Sequence, residues 1–221
     1  MRARLLTEFV GTFVFLTVIA LSGAAGQLAP LAIGLALAAM VYMGGHVSGA
    51  HYNPAVTFAL WLRGVIPPAT VGLYWVTQLV AGALAFWFAY LISGHTPGIH
   101  PGYGVSVRSA LAAEVVFTAA LALVVLNVAA TKETAGNSYY GLAIGLTVAA
   151  GGFTVGPISG AAFNPAVALG ATLAAALFAN GGWSDLSIYI AGPLVGAAIG
   201  AGIHVLQQRA KPVPPETSER A

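Results

Sequence analysis

The sequence predicts an all-α membrane protein: six transmembrane helices plus two re-entrant half-helices, arranged as an inverted repeat. Three features point there. Hydrophobic residues make up 58% of the 221 residues and charged residues only 6%, with a mean hydropathy of +0.87; a soluble domain carries roughly 25% charged residues. Six apolar stretches approach the ~20 residues that a bilayer crossing needs. Two copies of one phrase, SGAHYNPAV at 48–56 and SGAAFNPAV at 159–167, interrupt that apolar pattern and set Asn53 and Asn164 111 residues apart.

The six spans fall at 5–25, 31–47, 69–92, 108–130, 139–157 and 186–207. They are continuous apolar blocks, unlike the ten-residue alternating segments of an outer-membrane barrel. The first run starts at Leu5 and lacks an Ala-x-Ala cleavage pattern followed by a soluble region, so it reads as a span and not a signal peptide. Two shorter apolar runs, 53–62 and 164–177, lie between spans. At ~1.5 Å per residue the first is roughly 15 Å long, half of a ~30 Å hydrocarbon core, which suits a half-helix.

Residues 1–105 and 106–210 form the two repeats, each with three spans and one half-helix. An odd number of spans per half inserts the second half upside down. The likeness extends past the phrase: AIGLAL at 32–37 matches AIGLTV at 143–148 at the same offset, LVAG at 79–82 echoes LVGA at 194–197, and Glu8 answers Glu114. The tail 211–221, KPVPPETSERA, is polar and Pro-rich and is expected to be disordered.

Six spans place both termini on one side. Arg2, Arg4, Arg63, Lys132, Arg209, Lys211 and Arg220 share that side and Arg108 alone lies opposite, so both termini are read as cytoplasmic. The Gly/Pro-rich loop 94–107 is then external, with His95 and His100 solvated on it. There is no Cys, hence no disulfide or thiolate metal site. No nucleophile–base or metal-ligand constellation stands at useful spacing, so neither an enzyme nor a cofactor is expected. The formal charge of +2 is too small and dispersed for a nucleic-acid partner.

An Asn-Pro-Ala in the middle of a membrane needs a physical reason. Unpaired backbone groups in lipid cost several kcal/mol each, so non-helical segments survive at that depth only where they line a cavity. Gly49 and Pro54 break any continuous helix through SGAHYNP. Asn is a good N-cap and Pro suits the first helical position. Asn53-Pro54-Ala55 and Asn164-Pro165-Ala166 therefore read as two helix starts that face each other at the midplane. Each start carries about half a positive charge. Together they repel cations at the narrowest point, while each Asn amide donates to a passing oxygen. Such a pore favours neutral, hydrogen-bonding solutes.

With its doubled SGAxxNPAV phrase, six spans and Glu8/Glu114, the chain resembles the aquaporin (major intrinsic protein) family over essentially 1–208. The resemblance implies a homotetramer in the bilayer with one pore per subunit, passing water or small neutral solutes downhill. It implies that Glu8 and Glu114 support the re-entrant loops by accepting backbone hydrogen bonds, as a buried membrane carboxylate must be paired or functional. His51, in the first loop, is assigned a loop-bracing hydrogen bond in preference to pore gating.

The resemblance also implies an external aromatic/arginine filter, which by spacing from the asparagines falls on Ile33, Gly152, Ala161 and Val167. Water-selective members generally carry an aromatic at the first position, His at the second and Arg at the last; none is present here. Gly152 and Ala161 add almost no side-chain volume, and Val167 replaces a fixed charge and several donors by an apolar collar. A filter of this kind admits glycerol, urea and undissociated metalloid acids such as arsenite besides water. In lacking the arginine the chain is similar to certain bacterial members, which implies a bacterial inner membrane. A water-selective pore, a proton-coupled secondary transporter and a closed structural membrane protein stay open as alternatives. Asn127, Gln78 and Thr12 are read as interhelical hydrogen-bonding residues, and His204 as interfacial.

Overall fold

In a computed structural model, the described residues, 1–210, form eight α-helices, and no strand occurs among them. The tail 211–221, expected to be disordered, lies outside the described residues. Helix α1 (Arg2–Leu21) leads through a 3₁₀ turn, Ser22–Leu28, into α2 (Ala29–Ser48). Arg2–Ser48 is thus one apolar helical stretch of 47 residues that holds two spans. Gly26 makes the break, at φ 54 and ψ −128, a conformation open to glycine because it has no Cβ. The first half continues with α3 (Pro54–Leu62) and α4 (Pro68–Ser93). The second comprises α5 (Val107–Ala129), α6 (Tyr140–Ser159), α7 (Pro165–Phe178) and α8 (Leu186–Arg209).

The six long helices have 20 to 26 residues, enough at ~1.5 Å per residue to cross a ~30 Å core. Helices α3 and α7 have 9 and 14 residues, too few to span. Helix α1 packs on α2 and α4, α5 on α6 and α8, and α2 meets α6 across the halves. Helix α3 lodges against α8 and α7 against α4, so each half-helix is held by the opposite half as well as its own.

Small residues let these helices approach closely, as packing inside a bilayer requires. A Cβ added to Gly200 would sit 2.6 Å from the Ala119 carbonyl oxygen on α5, and one on Gly170 would sit 2.7 Å from the Gly82 carbonyl oxygen on α4. The outer surface is apolar: Leu6, Val76, Leu91, Val116 and Leu206 are each at least 60% exposed. The polar side chains Glu8, Thr57, Gln78, Glu114 and Ser159 are instead fully buried. That inversion is what a lipid solvent selects. The protein is an integral, multi-pass membrane protein.

Candidate functional site

The two repeated phrases fold into the same shape. Gly49 and Gly160 end α2 and α6 in the left-handed region, at φ 90 and 86. Ala50 and Ala161 follow at φ 51 and 52, and Tyr52 and Phe163 at φ 48 and 49. Left-handed backbone costs a non-glycine residue roughly 1–2 kcal/mol. Four such residues persist only where the surroundings over-determine them.

The glutamates supply that determination. Glu8 Oε1 accepts from the Ser48 hydroxyl at 2.7 Å and the His51 N–H at 2.9 Å. Its Oε2 accepts from the Tyr52 N–H and the Gln78 amide, both at 2.9 Å. In the second half Glu114 accepts from the Ser159 hydroxyl at 2.8 Å, the Ala162 N–H at 3.0 Å and the Phe163 N–H at 2.7 Å. The hydroxyls of Tyr74 and Tyr189 donate to the Ser48 and Ser159 carbonyls at 2.7 and 2.5 Å. The first loop has an extra brace, for the His51 ring nitrogen Nδ1 lies 3.0 Å from the Thr57 hydroxyl, which in turn accepts from Gln78 at 3.0 Å. Ala162 takes the place of His51 in the second loop and offers no equivalent.

The asparagines do two jobs each. Asn53 Oδ1 caps α3 by accepting from the Ala55 N–H at 2.8 Å, and Asn164 Oδ1 caps α7 through the Ala166 N–H at 2.9 Å. Pro54 and Pro165 hold the first helical positions, where no N–H is needed. Asn53 Nδ2 then crosses to the Phe163 carbonyl at 2.8 Å, and Asn164 Nδ2 to the Tyr52 carbonyl at 3.0 Å. A side-chain amide has two N–H groups, and both asparagines border the same cavity.

That cavity, about 200 Å³, is walled by Phe15 and Ile19 of α1, Ile33 and Leu37 of α2, and Val148 of α6, and it reaches Asn53, Asn164 and His51. A second cavity of about 250 Å³ continues past Val41, Gly45, Val128, Asn137 and Tyr140. Ala50, Val125 and Ile144 border both, so the two cavities adjoin. Both are mostly apolar, with polar side chains at His51, Asn53 and Asn164 in the first and at Thr134, Asn137 and Tyr140 in the second.

Of the four positions expected at the outer filter, Ile33, Ala161 and Val167 line the first cavity, and Val167 is 1% exposed. Gly152 is not among the lining residues. It faces α2, where an added Cβ would sit 2.9 Å from the Pro30 Cβ. The α6 residues on the cavity are Ile144 and Val148.

Several features of the site had little sequence signal. Pro97, Gly98 and Ile99 of the α4–α5 connection form part of the cavity wall. The connection is fastened by His100 Nδ1 to Asp185 at 3.0 Å and by the Gly102 N–H to the Ile158 carbonyl at 3.0 Å. His204 is 5% exposed; it accepts from Arg63 Nε at 2.9 Å and lies 2.9 Å from the Thr131 hydroxyl. Asn127 donates across to Gln207 of α8 at 3.0 Å, as an interhelical residue should. Thr12 departs from expectation, since its hydroxyl is buried with no hydrogen-bond partner among the described residues.

Six long apolar helices with two asparagine-capped half-helices have a counterpart among known proteins. The sequence profile described as major intrinsic protein matches residues 1–204. The chain belongs to the major intrinsic protein family. Members of this family are channels and not enzymes, and they transport water and small solutes. The chain is 35% identical over 229 residues to the probable aquaporin TIP3-2 of Oryza sativa subsp. japonica, covering 97% of this chain and 84% of the relative. It is 34% identical over 233 residues to aquaporin AqpM of Methanothermobacter marburgensis, with 90% and 94% covered. Among solved structures, the aquaglyceroporin from Plasmodium falciparum superposes with a TM-score of 0.75 at 21% identity, over 90% of this chain and 95% of that one, a likeness of fold.

Proposed function

We propose that this major intrinsic protein passes small uncharged solutes together with water, passively, through an outer filter without arginine. The solute class is glycerol, urea and undissociated metalloid acids such as arsenous acid. The observation that carries the reading is Val167, buried against the outer cavity three residues after Asn164. A branched apolar side chain there supplies neither a fixed charge nor a donor, and Ala161 beside it adds only a methyl group. Size and polarity then discriminate weakly at the mouth. Charge discrimination rests on the paired helix starts at Asn53 and Asn164, whose positive ends disfavour cations.

The same proposal includes a homotetramer in a bacterial inner membrane with both termini in the cytoplasm. Arg63 and Lys132 border one pocket with His204, near the end of α8, which supports a basic cytoplasmic face. Stopped-flow light scattering of proteoliposomes tests the function, comparing water, glycerol, urea and arsenous acid against protein-free liposomes. Downhill flux of the larger solutes is expected. Flux of water alone would point to a water-selective pore, uphill uptake under a proton gradient to a secondary transporter, and no flux at all to a closed structural protein.

A further inference from the structure

We infer, resting on the solute-channel function proposed for this chain, that His100 and Asp185 are positioning residues: they form a pH-sensitive clasp that holds Ile99 in the wall of the outer cavity and so couples solute selectivity to the pH at that mouth.

The connection between α4 and α5 has neither helix nor strand over 95–106, so single contacts set its path. On the α6 side the backbone fastens it. The Gly102 N–H donates to the Ile158 carbonyl at 3.0 Å, and a Cβ on Gly160 would lie 3.1 Å from Ile99 Cγ2 and 3.2 Å from the His100 carbonyl oxygen. On the other side, toward α7 and α8, the polar link is His100 Nδ1 to Asp185 Oδ2 at 3.0 Å. The His100 ring also lies over the chain it fixes, because a Cβ on Gly98 would sit 2.5 Å from its Nε2. Gly98 and Ile99 border the outer cavity on one side and, with the pair itself, a small pocket on the other. They form the partition between clasp and pore.

Solvent protons reach the pair, whose side chains are 57% and 31% exposed. Asp185 is the N-cap residue of α8 but makes no capping bond with its side chain. Ser184 donates to its Oδ1 at 3.4 Å, which leaves Oδ2 to His100. The elements around the ring bring Thr172 and alanines from α7, Leu186 from α8 and Gly160 from the second loop; Asp185 is the one titratable group besides His100 among the residues lining this pocket. Histidine changes charge between about pH 5 and 8. A protonated ring donates a charge-assisted bond about twice as strong as a neutral ring offers. The clasp therefore tightens as the pH falls through that range and loosens as it rises. An exposed ion pair is worth up to about fivefold in an equilibrium, so the clasp biases the place of Ile99 and does not shut the pore. Loosened, Ile99 withdraws from the wall, and the aperture discriminates less by size.

The test measures glycerol and water permeability in proteoliposomes buffered alike inside and outside, at about pH 5.5 and about pH 8. Wild type is compared with His100→Ala, Asp185→Asn and His100→Arg, each checked for a monodisperse gel-filtration peak. The wild-type glycerol-to-water ratio is expected to rise by about two- to fivefold from the lower pH to the higher. His100→Ala and Asp185→Asn should give the high ratio at both values, and His100→Arg, a permanent cation, the low ratio at both. If neither of the first two assembles, His100→Arg decides, since its profile must be flat. The variants keep His46, His51, His95 and His204, so a pH profile that persists in them belongs to those histidines and overturns the clasp. A flat wild-type profile overturns it as well. Should the wild type pass water only, the solute reading fails, and the clasp is then judged by the same comparison on water permeability.

Discussion

Asn164 donates its side-chain amide to the Tyr52 carbonyl at 3.0 Å, so the residue that starts α7 also fastens the second re-entrant loop to the first. Asn53 returns the bond through Phe163. The carbonyl that Asn164 needs is presented by a residue in left-handed backbone, whose own N–H is held by Glu8. Cap, cross-tie and carboxylate therefore act as one unit, and the junction of the two loops is only as well placed as its buried glutamates.

Asn164→Asp separates the two jobs of the asparagine. The substituted side chain still has an oxygen for the Ala166 N–H, but it offers no amide to Tyr52. An unmet buried partner costs about 1–3 kcal/mol. A lower thermal unfolding temperature in detergent is expected, and a midpoint equal to the wild type would show that the cross-tie contributes nothing.

The glutamates should differ in a defined order. Glu8 collects four donors and Glu114 three. Replacing either by Gln turns an acceptor into an NH₂ group facing donors, again at about 1–3 kcal/mol for each group left unpaired. Glu8→Gln is expected to lower the unfolding temperature more than Glu114→Gln. The reverse order would contradict the donor inventory.

Two glycine substitutions should act in opposite directions. The Tyr52 ring and hydroxyl fill a notch against Gly11 and Gly44, and a Cβ on Gly44 would run into the hydroxyl. Overpacking of this kind costs about 1–3 kcal/mol, so Gly44→Ala should destabilise. Gly72, inside α4, has nothing within 4 Å of an added Cβ. Gly72→Ala should gain about 0.5–1 kcal/mol from helix propensity. Thermal melts of both variants side by side check the contrast.

The helices and the two polar phrases were legible because polar residues and Asn-Pro pairs are costly in a membrane and so stand out against apolar sequence. The half-helices expected to begin at 53 and 164 have those asparagines as their N-caps. What stayed hidden depends on which way a residue faces or on partners far away in the chain. Gly152 sits at the right distance from Asn164, yet the Pro30 contact puts it on the α2 seam. Ile99 reaches the cavity wall because His100 meets Asp185, 85 positions away. His204 gives no sign in an apolar helix that Arg63, 141 positions earlier, will donate to it. Periodicity reports a face only where neighbours repeat it, and single long-range contacts leave no period.

Orientation has a direct check, since the chain has no Cys. Arg108 and Lys132 are exposed near opposite ends of α5. In intact cells, a membrane-impermeant maleimide should label Arg108→Cys and spare Lys132→Cys. Labelling of Lys132→Cys alone would invert the proposed topology.

The central claim, a pore made permissive by the residue after the second Asn-Pro-Ala, is tested most directly by Val167→Arg. Glycerol, arsenous acid and water permeability are measured in proteoliposomes at matched protein content. Restoring a long cationic side chain at a buried wall position should cut glycerol and arsenous acid flux by about tenfold or more, with a smaller loss for water. Equal loss for all three, or no change in any, would contradict the claim that Val167 sets the size and polarity limit.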